Sequence, residues 1–147
     1  MPVLQQRQRP QATAGPDGAR GRPVMLATLD VPFDRDAVVF AVDSAVELGQ
    51  RLIVANFVEQ EPLPLSAMMG YDDLPYTPEM AESLAEPARL AVSLGVTVAR
   101  LRVKSFRPVQ AMVEVVAEEN AGLLVFGPDR SQISVVTRAR MARAARR

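Results

Sequence analysis

The stretch Leu123-Leu-Val-Phe-Gly-Pro-Asp-Arg130 decides the fold of this chain. Four apolar residues lead into a glycine turn, and the chain beyond the turn has helical character. This order predicts a buried parallel strand, a turn and a helix, which is the arrangement in which open α/β sheets bind ligands. The turn nevertheless carries Pro128 and Arg130, where a phosphate-binding loop favours small residues. The stretch therefore predicts the architecture more sharply than it predicts the ligand.

Three earlier segments also have the pattern of strands, namely residues 24–30, 51–58 and 96–103. The first two are apolar runs, which is typical of strands buried on both faces of a sheet. Residues 96–103 instead alternate between apolar and polar side chains. Since alternation indicates one more exposed face, we expect this strand at an edge of the sheet.

Helical patterns separate the strands. The helices are expected over residues 36–49, 77–95 and 108–122, and from about residue 131 onwards. Each begins or ends at a proline or glycine signal, and Pro87 is expected to kink the second helix. Regular alternation of strand and helix implies right-handed crossovers. We therefore predict an α/β fold with a doubly wound parallel sheet.

Two segments carry no such period. Residues 1–23 are rich in Gln, Arg, Pro, Gly and Ala, and they are predicted to be a disordered N-terminal tail because they cannot bury enough apolar surface to offset ordering entropy. The α/β domain is placed over residues 24–147. The 59–78 loop holds several prolines and a Met-Met-Gly kernel. A loop this long in a compact domain is usually a lid, a binding loop or a surface for a partner.

Composition narrows the chemistry. A chain of 147 residues with 48% hydrophobic content suits one domain. It has no cysteine and no histidine, so disulfides, thiolate sites and the usual zinc sites are excluded, and no catalytic or metal-binding residue is assigned. No apolar run resembles a membrane span or a signal peptide, which leads us to expect a cytoplasmic location and no membrane partner.

Charge is distributed unevenly behind a formal net charge of zero. Residues 24–129 hold seven basic and sixteen acidic residues, whereas residues 130–147 hold six arginines and no acid. Basic ends can contact nucleic acid, but they can equally pair with their own domain or with a second copy. Because neither end interleaves aromatic residues with its arginines, nucleic-acid binding is disfavoured.

The order of these elements resembles the universal stress protein family. The likeness is carried by Val24–Asp30, by Arg51–Glu59 and by the helix, acidic pair and strand of Val115–Gly127. It implies a Rossmann-like sheet of the adenine nucleotide α-hydrolase-like type, frequent homodimers and, in one branch, ATP at the strand ends. Members usually add a fifth strand after the last helix, and we expect that strand to be absent here. Residues 123–126 would then be an apolar edge strand that favours association.

The ATP-binding branch of that family carries a recognisable loop: Gly, two residues, Gly, nine residues, Gly, then Ser or Thr. The corresponding positions here are Gly127, Arg130, Arg140 and Met141, so only the first is kept. Glycines at such positions let backbone N–H groups approach phosphates. The two arginines could fill the anion site themselves or bind a different anion directly.

The candidate cofactor-binding residues, for a nucleotide or another anion, are Asp30, Gly127, Arg130 and Ser131. By the resemblance, Asp30 matches an acid that lies near the ribose or the metal in the ATP-binding branch. The simpler alternative is a turn or helix-capping acid, which we favour for Asp30 and also for Asp129.

These observations favour a universal stress protein-like regulatory or interaction module that is dimeric, binds no ATP and acts through dimerisation or through a partner at the 59–78 loop. No cofactor is expected, and an enzymatic role is disfavoured. The alternative is an ATP-binding stress protein that uses ATP with Mg and has weak ATPase or self-phosphorylation activity. A small-molecule carrier, or a nucleic-acid contact through the arginine-rich end, stays open as a third class.

Overall fold

The computed structural model describes residues 7–8, 21–60 and 78–132. Within them, short strands alternate with helices along the chain. The elements are β1 (Arg7–Gln8), β2 (Val24–Thr28), α1 (Arg35–Leu48), β3 (Leu52–Glu59), α2 (Pro78–Ser93), β4 (Val98–Ser105), α3 (Pro108–Glu118), β5 (Leu123–Phe126) and a 3₁₀ turn (Arg130–Gln132).

All five strands form one sheet in the order β1-β4-β3-β2-β5. The four strands β2 to β5 are parallel, as the sequence predicts, and β1 adds antiparallel to β4. The chain steps outward from β2 to β3 to β4, and then returns across β2 to place β5 on its other side. The direction of winding therefore reverses between β2 and β5, and the carboxyl ends of these two strands mark the usual ligand crevice of such sheets.

The sheet is covered by helices on both faces, which confirms the doubly wound architecture. One apolar cluster joins residues of α1 and α2 to alternate residues of the strands, with Val42, Leu26 and Val54 at its centre. The other joins α3 to the opposite strand faces, with Phe57, Met25 and Met112. Fully burying one side chain of this size stabilises the fold by about 1.5–3 kcal/mol.

Local signals set the helix ends. The carboxylate of Asp34 caps α1 by accepting a hydrogen bond from the N–H of Ala37 at 3.1 Å, so α1 begins one residue before the predicted start. Gly49 ends α1 in the left-handed conformation, with φ of 61°. After α3 the left-handed residue is Asn120, with φ of 52°, rather than the Gly122 that the sequence indicates.

The edges of the sheet largely follow expectation. β4 is the last parallel strand on its side, and its outer edge meets only β1 among the described residues. Among the described residues, β5 pairs with β2 alone and lies at the other end of the sheet. The pairing of β1 shows that two residues of the predicted disordered tail adopt strand structure.

Several predictions concern residues outside the described ranges. The core of the 59–78 loop, the arginine-rich helix and the position of the family's usual fifth strand fall on residues 61–77 and 133–147. Disorder in the remainder of residues 1–20 also stays a prediction. Pro87 is buried inside α2, and the kink expected there remains a prediction as well.

Candidate functional site

The candidate site lies where β2, β3 and β5 end, because parallel strands bring their carboxyl ends to one edge of the sheet. Two loops leave this edge: residues 29–34 after β2 and residues 127–129 after β5. All four candidate residues from the sequence, Asp30, Gly127, Arg130 and Ser131, lie in these loops or in the 3₁₀ turn that follows the second loop. The tertiary structure therefore collects them at one edge.

Asp30 is held by a side chain that the sequence analysis did not single out. Its backbone N–H donates to Asn56 Oδ1 at 2.7 Å, and Asn56 Nδ2 donates to Asp30 Oδ1 at 3.2 Å. Asn56 is buried near the end of β3, while Asp30 is exposed and has a left-handed φ of 54°. The sequence signal that could have identified Asn56 is that it is the one amide side chain in the apolar run of residues 51–58. A buried amide needs hydrogen-bond partners, so such a residue is expected to hold a neighbouring loop.

The turn after β2 is further fixed by Thr28. This residue is fully buried, and its Oγ1 donates to the carbonyl of Val31 at 2.8 Å. Asp30 thus lies in a turn that is fixed by two contacts, the hydrogen bond from Thr28 to Val31 and the pair between Asp30 and Asn56. The arrangement supports the turn interpretation of Asp30 and at the same time presents its carboxyl group at the strand ends.

Gly127 has a packing role in this structure. It is buried, its N–H donates to the carbonyl of Ala27 at 3.0 Å, and its own carbonyl accepts from the N–H of Asp34 at 2.9 Å. A Cβ atom at this position would collide with the Cβ of Ala37 on α1. Glycine therefore allows α1 to approach the end of β5, a requirement that exists without any phosphate.

Asp129 organises the turn that follows. Its Oδ1 accepts hydrogen bonds from the N–H of Ser131 at 3.0 Å and from the Ser131 hydroxyl at 2.7 Å. The N–H of Gln132 donates to the Asp129 carbonyl at 3.1 Å. The hydroxyl bond, reinforced by the backbone bond from the same residue, lowers the pKa of the Asp129 carboxyl. The Ser131 hydroxyl is therefore directed at a side chain of its own loop.

The two loops are joined to one another by the backbone. Phe33 and Pro128 form an antiparallel bridge. It is flanked by the bond from Asp34 N–H to the Gly127 carbonyl and by a second from Asp129 N–H to the Pro32 carbonyl at 2.8 Å. These main-chain bonds span the point where the winding of the sheet reverses. They join residues 32–34 of the loop after β2 to residues 127–129 of the loop after β5.

Arg130 lies on the outside of these joined loops. It begins the 3₁₀ turn and is exposed. Arg130 stands at the position of the second glycine in the ATP-binding pattern described above. A guanidinium side chain therefore replaces the single hydrogen atom that glycine would have there. The Arg140 and Met141 positions of that pattern lie outside the described residues.

Two general features of the described residues bear on function. No group of three or more acidic side chains in residues 7–8, 21–60 and 78–132 is arranged to hold a metal ion. Among the described helices, none combines the length and the apolar character that a membrane crossing requires.

The comparisons with known proteins found similar solved structures, and the first of them supports this fold. A protein of the universal stress protein family from Burkholderia pseudomallei superposes with a TM-score of 0.53 at 19% identity, over 84% of this chain and 89% of that one. Protein Rv1636 from Mycobacterium tuberculosis gives a TM-score of 0.47 at 25% identity, over 83% and 89%. No curated protein matches the sequence.

The family profile described as Universal stress protein family matches residues 21–138, which is most of the chain. That range includes every strand of the parallel sheet and both loops of the candidate site. The chain belongs to the universal stress protein family.

Proposed function

We propose that this protein is a regulatory or interaction module of the stress response that forms homodimers and does not bind ATP. Its family membership supports the stress-response role. The loss of ATP binding is supported mainly by one observation, which is that the N–H groups of Gly127, Asp129 and Ser131 after β5 already donate to acceptors within the protein.

A phosphate-binding loop acts by presenting unsatisfied backbone N–H groups to the anion. Here the N–H groups of Gly127, Asp129 and Ser131 donate to Ala27, Pro32 and Asp129, in that order. The Ser131 hydroxyl also donates to Asp129. A nucleotide would have to break these bonds, and the loop would lose the contacts that join it to residues 32–34. Binding therefore carries a cost that an open glycine loop does not have.

The charged side chains of this loop do not compensate for the N–H groups that are no longer available to a phosphate. Asp129 places a carboxylate inside the turn, and its hydrogen bonds with Ser131 lower its pKa and so favour the ionised form. A phosphate in this loop would meet that negative charge at close range. Arg130 could offset it, but a long exposed side chain loses conformational entropy when it is immobilised.

The experiment is isothermal calorimetry of ATP with magnesium on the purified protein. We expect no binding, and micromolar affinity would overturn the proposal. A double variant, Arg130→Gly with Arg140→Gly, restores two of the glycines of the ATP-binding pattern. Its matched control, Arg130→Gln with Arg140→Gln, removes the same charges without adding backbone freedom. Binding by the glycine variant alone would assign the loss of ATP binding to the loop backbone.

The homodimer is proposed at the β5 edge. All four residues of β5 are apolar and only partly buried, and among the described residues β5 pairs on one side only. Such an edge is a template for pairing with another chain. Helix α1, which contacts β5, exposes two large apolar residues, Phe40 at 57% and Leu48 at 59%.

Sedimentation equilibrium tests the dimer against the 16.0 kDa of one chain. We expect Val125→Lys at the centre of β5 to shift the protein towards monomer. The control Val113→Lys adds the same charge on α3, where the native valine is 60% exposed. A monomeric native protein, or equal dissociation of both variants, would contradict an interface at β5.

One observation favours the second candidate, an ATP-binding stress protein with Mg. The exposed Asp30 carboxyl is oriented by Asn56 at the ligand end of the sheet, close to the reversal point. If calorimetry detects ATP, Asp30→Asn should weaken that binding while leaving the fold intact. A protein partner at the 59–78 loop remains a further proposal, since residues 61–77 lie outside the described ranges.

A further inference from the structure

The layer formed by α1 and α2 carries exposed apolar side chains that the proposed function does not use. The two helices contact each other on one face of the sheet. Four large aliphatic residues on these helices, or directly after α2, are exposed: Val39 at 45%, Val46 at 47%, Leu90 at 38% and Leu94 at 54%. A contiguous apolar patch with a polar border marks an interaction site, so the relative position of these residues matters.

Val39 and Val46 lie on the flank of α1 that faces α2. The opposite flank is marked by Ala37, because a Cβ added to Gly127 would collide with the Cβ of Ala37. Gly127 follows β5, which lies on one side of β2, whereas α2 packs on β3 and β4 on the other side. Val39 is about 200° further round the helix than Ala37, and Val46 follows two turns later on the same flank. Both valines therefore face away from β5 and towards α2.

Leu90 and Leu94 lie on the flank of α2 that faces α1. The buried stripes of the two helices have the same spacing: Val38, Ala41, Val42 and Ala45 on α1, and Leu84, Pro87, Ala88 and Ala91 on α2. Both helices return from one parallel strand to the next and so run in the same direction. Leu90 has the place on α2 that Ser44 has on α1, and Ser44 lies on the Ala37 flank. On α2 that flank faces α1, and Leu94 follows Leu90 by about one turn.

The four aliphatic residues Val39, Val46, Leu90 and Leu94 are called the α1–α2 seam below. Acidic residues border the seam on both helices. Asp36 and Asp43 stand three residues before and four residues after Val39, and Glu86 stands four residues before Leu90. Residues three or four apart are neighbours on a helix surface. The seam is therefore an apolar strip with acidic borders.

The charges of the two helices are mostly negative. Helices α1 and α2 carry six acidic residues and two arginines, all of them exposed. Arg89 is paired with Glu82, and Arg35 is the first residue of α1. Two copies of this chain that met seam to seam would bring like charges together, which is unfavourable. The partner that suits the seam is apolar along one side and basic beside it.

We propose that the α1–α2 seam binds a basic amphipathic helix of a partner protein. The partner helix lies along the line between α1 and α2, and its apolar residues at positions i, i+3, i+4 and i+7 cover the seam. Its lysines and arginines lie beside that stripe and pair with Asp36, Asp43 and Glu86. The proposal rests on the proposed interaction role, but not on the absence of ATP binding or on the dimer at β5.

The probe is a synthetic peptide of about 18 residues, made of leucine and lysine, whose leucines share one helical face. Fluorescence anisotropy of the labelled peptide measures its binding to the full chain. We expect saturable binding that weakens as salt rises, because exposed charge pairs are screened. A peptide of the same composition with leucines distributed around the helix keeps the charge and lacks the apolar stripe. It should bind at least about ten-fold more weakly.

Two pairs of lysine substitutions locate the binding surface. Val39→Lys with Leu90→Lys places charge in the seam and should weaken binding by at least about ten-fold. The matched control is Val92→Lys with Val113→Lys, at valines that are 62% and 60% exposed outside the seam. It adds the same two charges and should bind within about two-fold of the native protein. Urea unfolding of both pairs checks that the variants are folded.

The acidic borders are tested by Asp43→Asn with Glu86→Gln, which should weaken binding at low salt and reduce its salt dependence. Equal binding of the two peptides, equal loss in the two lysine pairs, no binding of the amphipathic peptide or an unchanged salt dependence would each overturn the proposal. A change of mass in sedimentation equilibrium, confined to the seam variant, would assign the seam to a second copy and would also overturn it. ATP calorimetry and the β5 variants test the proposed function separately, so the two failures are distinguishable.

Discussion

Asn56 on β3 and Asp30 after β2 hold one another through a pair of hydrogen bonds, in which the amide of Asn56 both accepts from the backbone N–H and donates to the carboxyl of Asp30. This contact joins two strand ends that are 26 residues apart in the chain. It fixes the backbone and the carboxyl group of Asp30 at the end of β2, where the candidate site lies.

Replacing Asn56 with alanine should destabilise the protein. The change removes both bonds and leaves the part-buried N–H of Asp30 without its acceptor, so we expect a loss of about 1–3 kcal/mol in the free energy of unfolding. Urea unfolding followed by circular dichroism measures it. The variant Asn56→Asp keeps an acceptor but places two carboxyl groups together, so its deficit relative to the native protein should shrink as the pH falls. A deficit independent of pH would show that the two groups do not interact.

Replacing Gly127 with alanine tests the close approach of α1. The added methyl would collide with the Cβ of Ala37, and overpacking of this kind costs about 1–3 kcal/mol. Chemical denaturation of Gly127→Ala, of Ala37→Gly and of the double variant gives the coupling between the two positions. The double variant should recover part of the loss. Strict additivity would mean that the methyl is accommodated elsewhere.

The hydroxyl of Ser131 favours the ionised form of Asp129. Its hydrogen bond, with the backbone bond from the same residue, lowers the pKa of Asp129 when the protein is folded. The carboxylate therefore contributes stability above the pKa it has in the unfolded chain, and this contribution is lost as the pH falls through the lower folded pKa. In Ser131→Ala the pKa of Asp129 should rise towards its ordinary value.

Carbon-13 NMR of the Asp129 carboxyl group measures that shift directly. The control is Ser93→Ala, which removes a hydroxyl bonded to the carbonyl of Leu90 on α2. It should leave the titration of Asp129 unchanged. A native-like pKa in Ser131→Ala would assign the lowering to the backbone bond alone.

Gly49 tests the helix end. Its φ of 61° is left-handed, and a Cβ added there meets no atom within 4 Å, so substitution causes backbone strain without a collision. Gly49→Ala should cost about 1–2 kcal/mol, and Gly49→Asn should cost less because asparagine tolerates this conformation. Thermal unfolding of the two variants provides the comparison. Equal melting temperatures for both variants and the native protein would contradict a strained helix end.

The sequence predicted the parallel sheet and its helices well because the signals are local. Continuous apolar runs identified β2, β3 and β5, and a helical apolar face ending at a glycine identified α1. The ends of elements were less accurate: α3 stops at Glu118, four residues before the predicted Gly122. The pairing of Arg7–Gln8 with β4 had no local signal, since two polar residues in a proline-rich stretch carry no strand period.

The candidate site was only half accessible to sequence reasoning. Asp30, Gly127, Arg130 and Ser131 could be proposed because the ends of parallel strands converge and a family resemblance supplied the spacing of the loop. Asn56 was missed because its importance comes from burial beside Asp30, which depends on the pairing of β2 with β3. The packing role of Gly127 likewise depends on Ala37, a residue 90 positions away.

The sequence by itself therefore determined the order of strands and helices, the absence of cysteine and histidine chemistry, and the departure from the glycine pattern of ATP-binding relatives. Those properties follow from composition and from short-range hydrophobic periodicity. Only the tertiary structure decided where the donors of the loop after β5 point. The N–H groups of Gly127 and Asp129 donate to the carbonyls of Ala27 and Pro32, which are distant in the chain. These acceptors come within reach only when β5 pairs with β2 in the folded sheet.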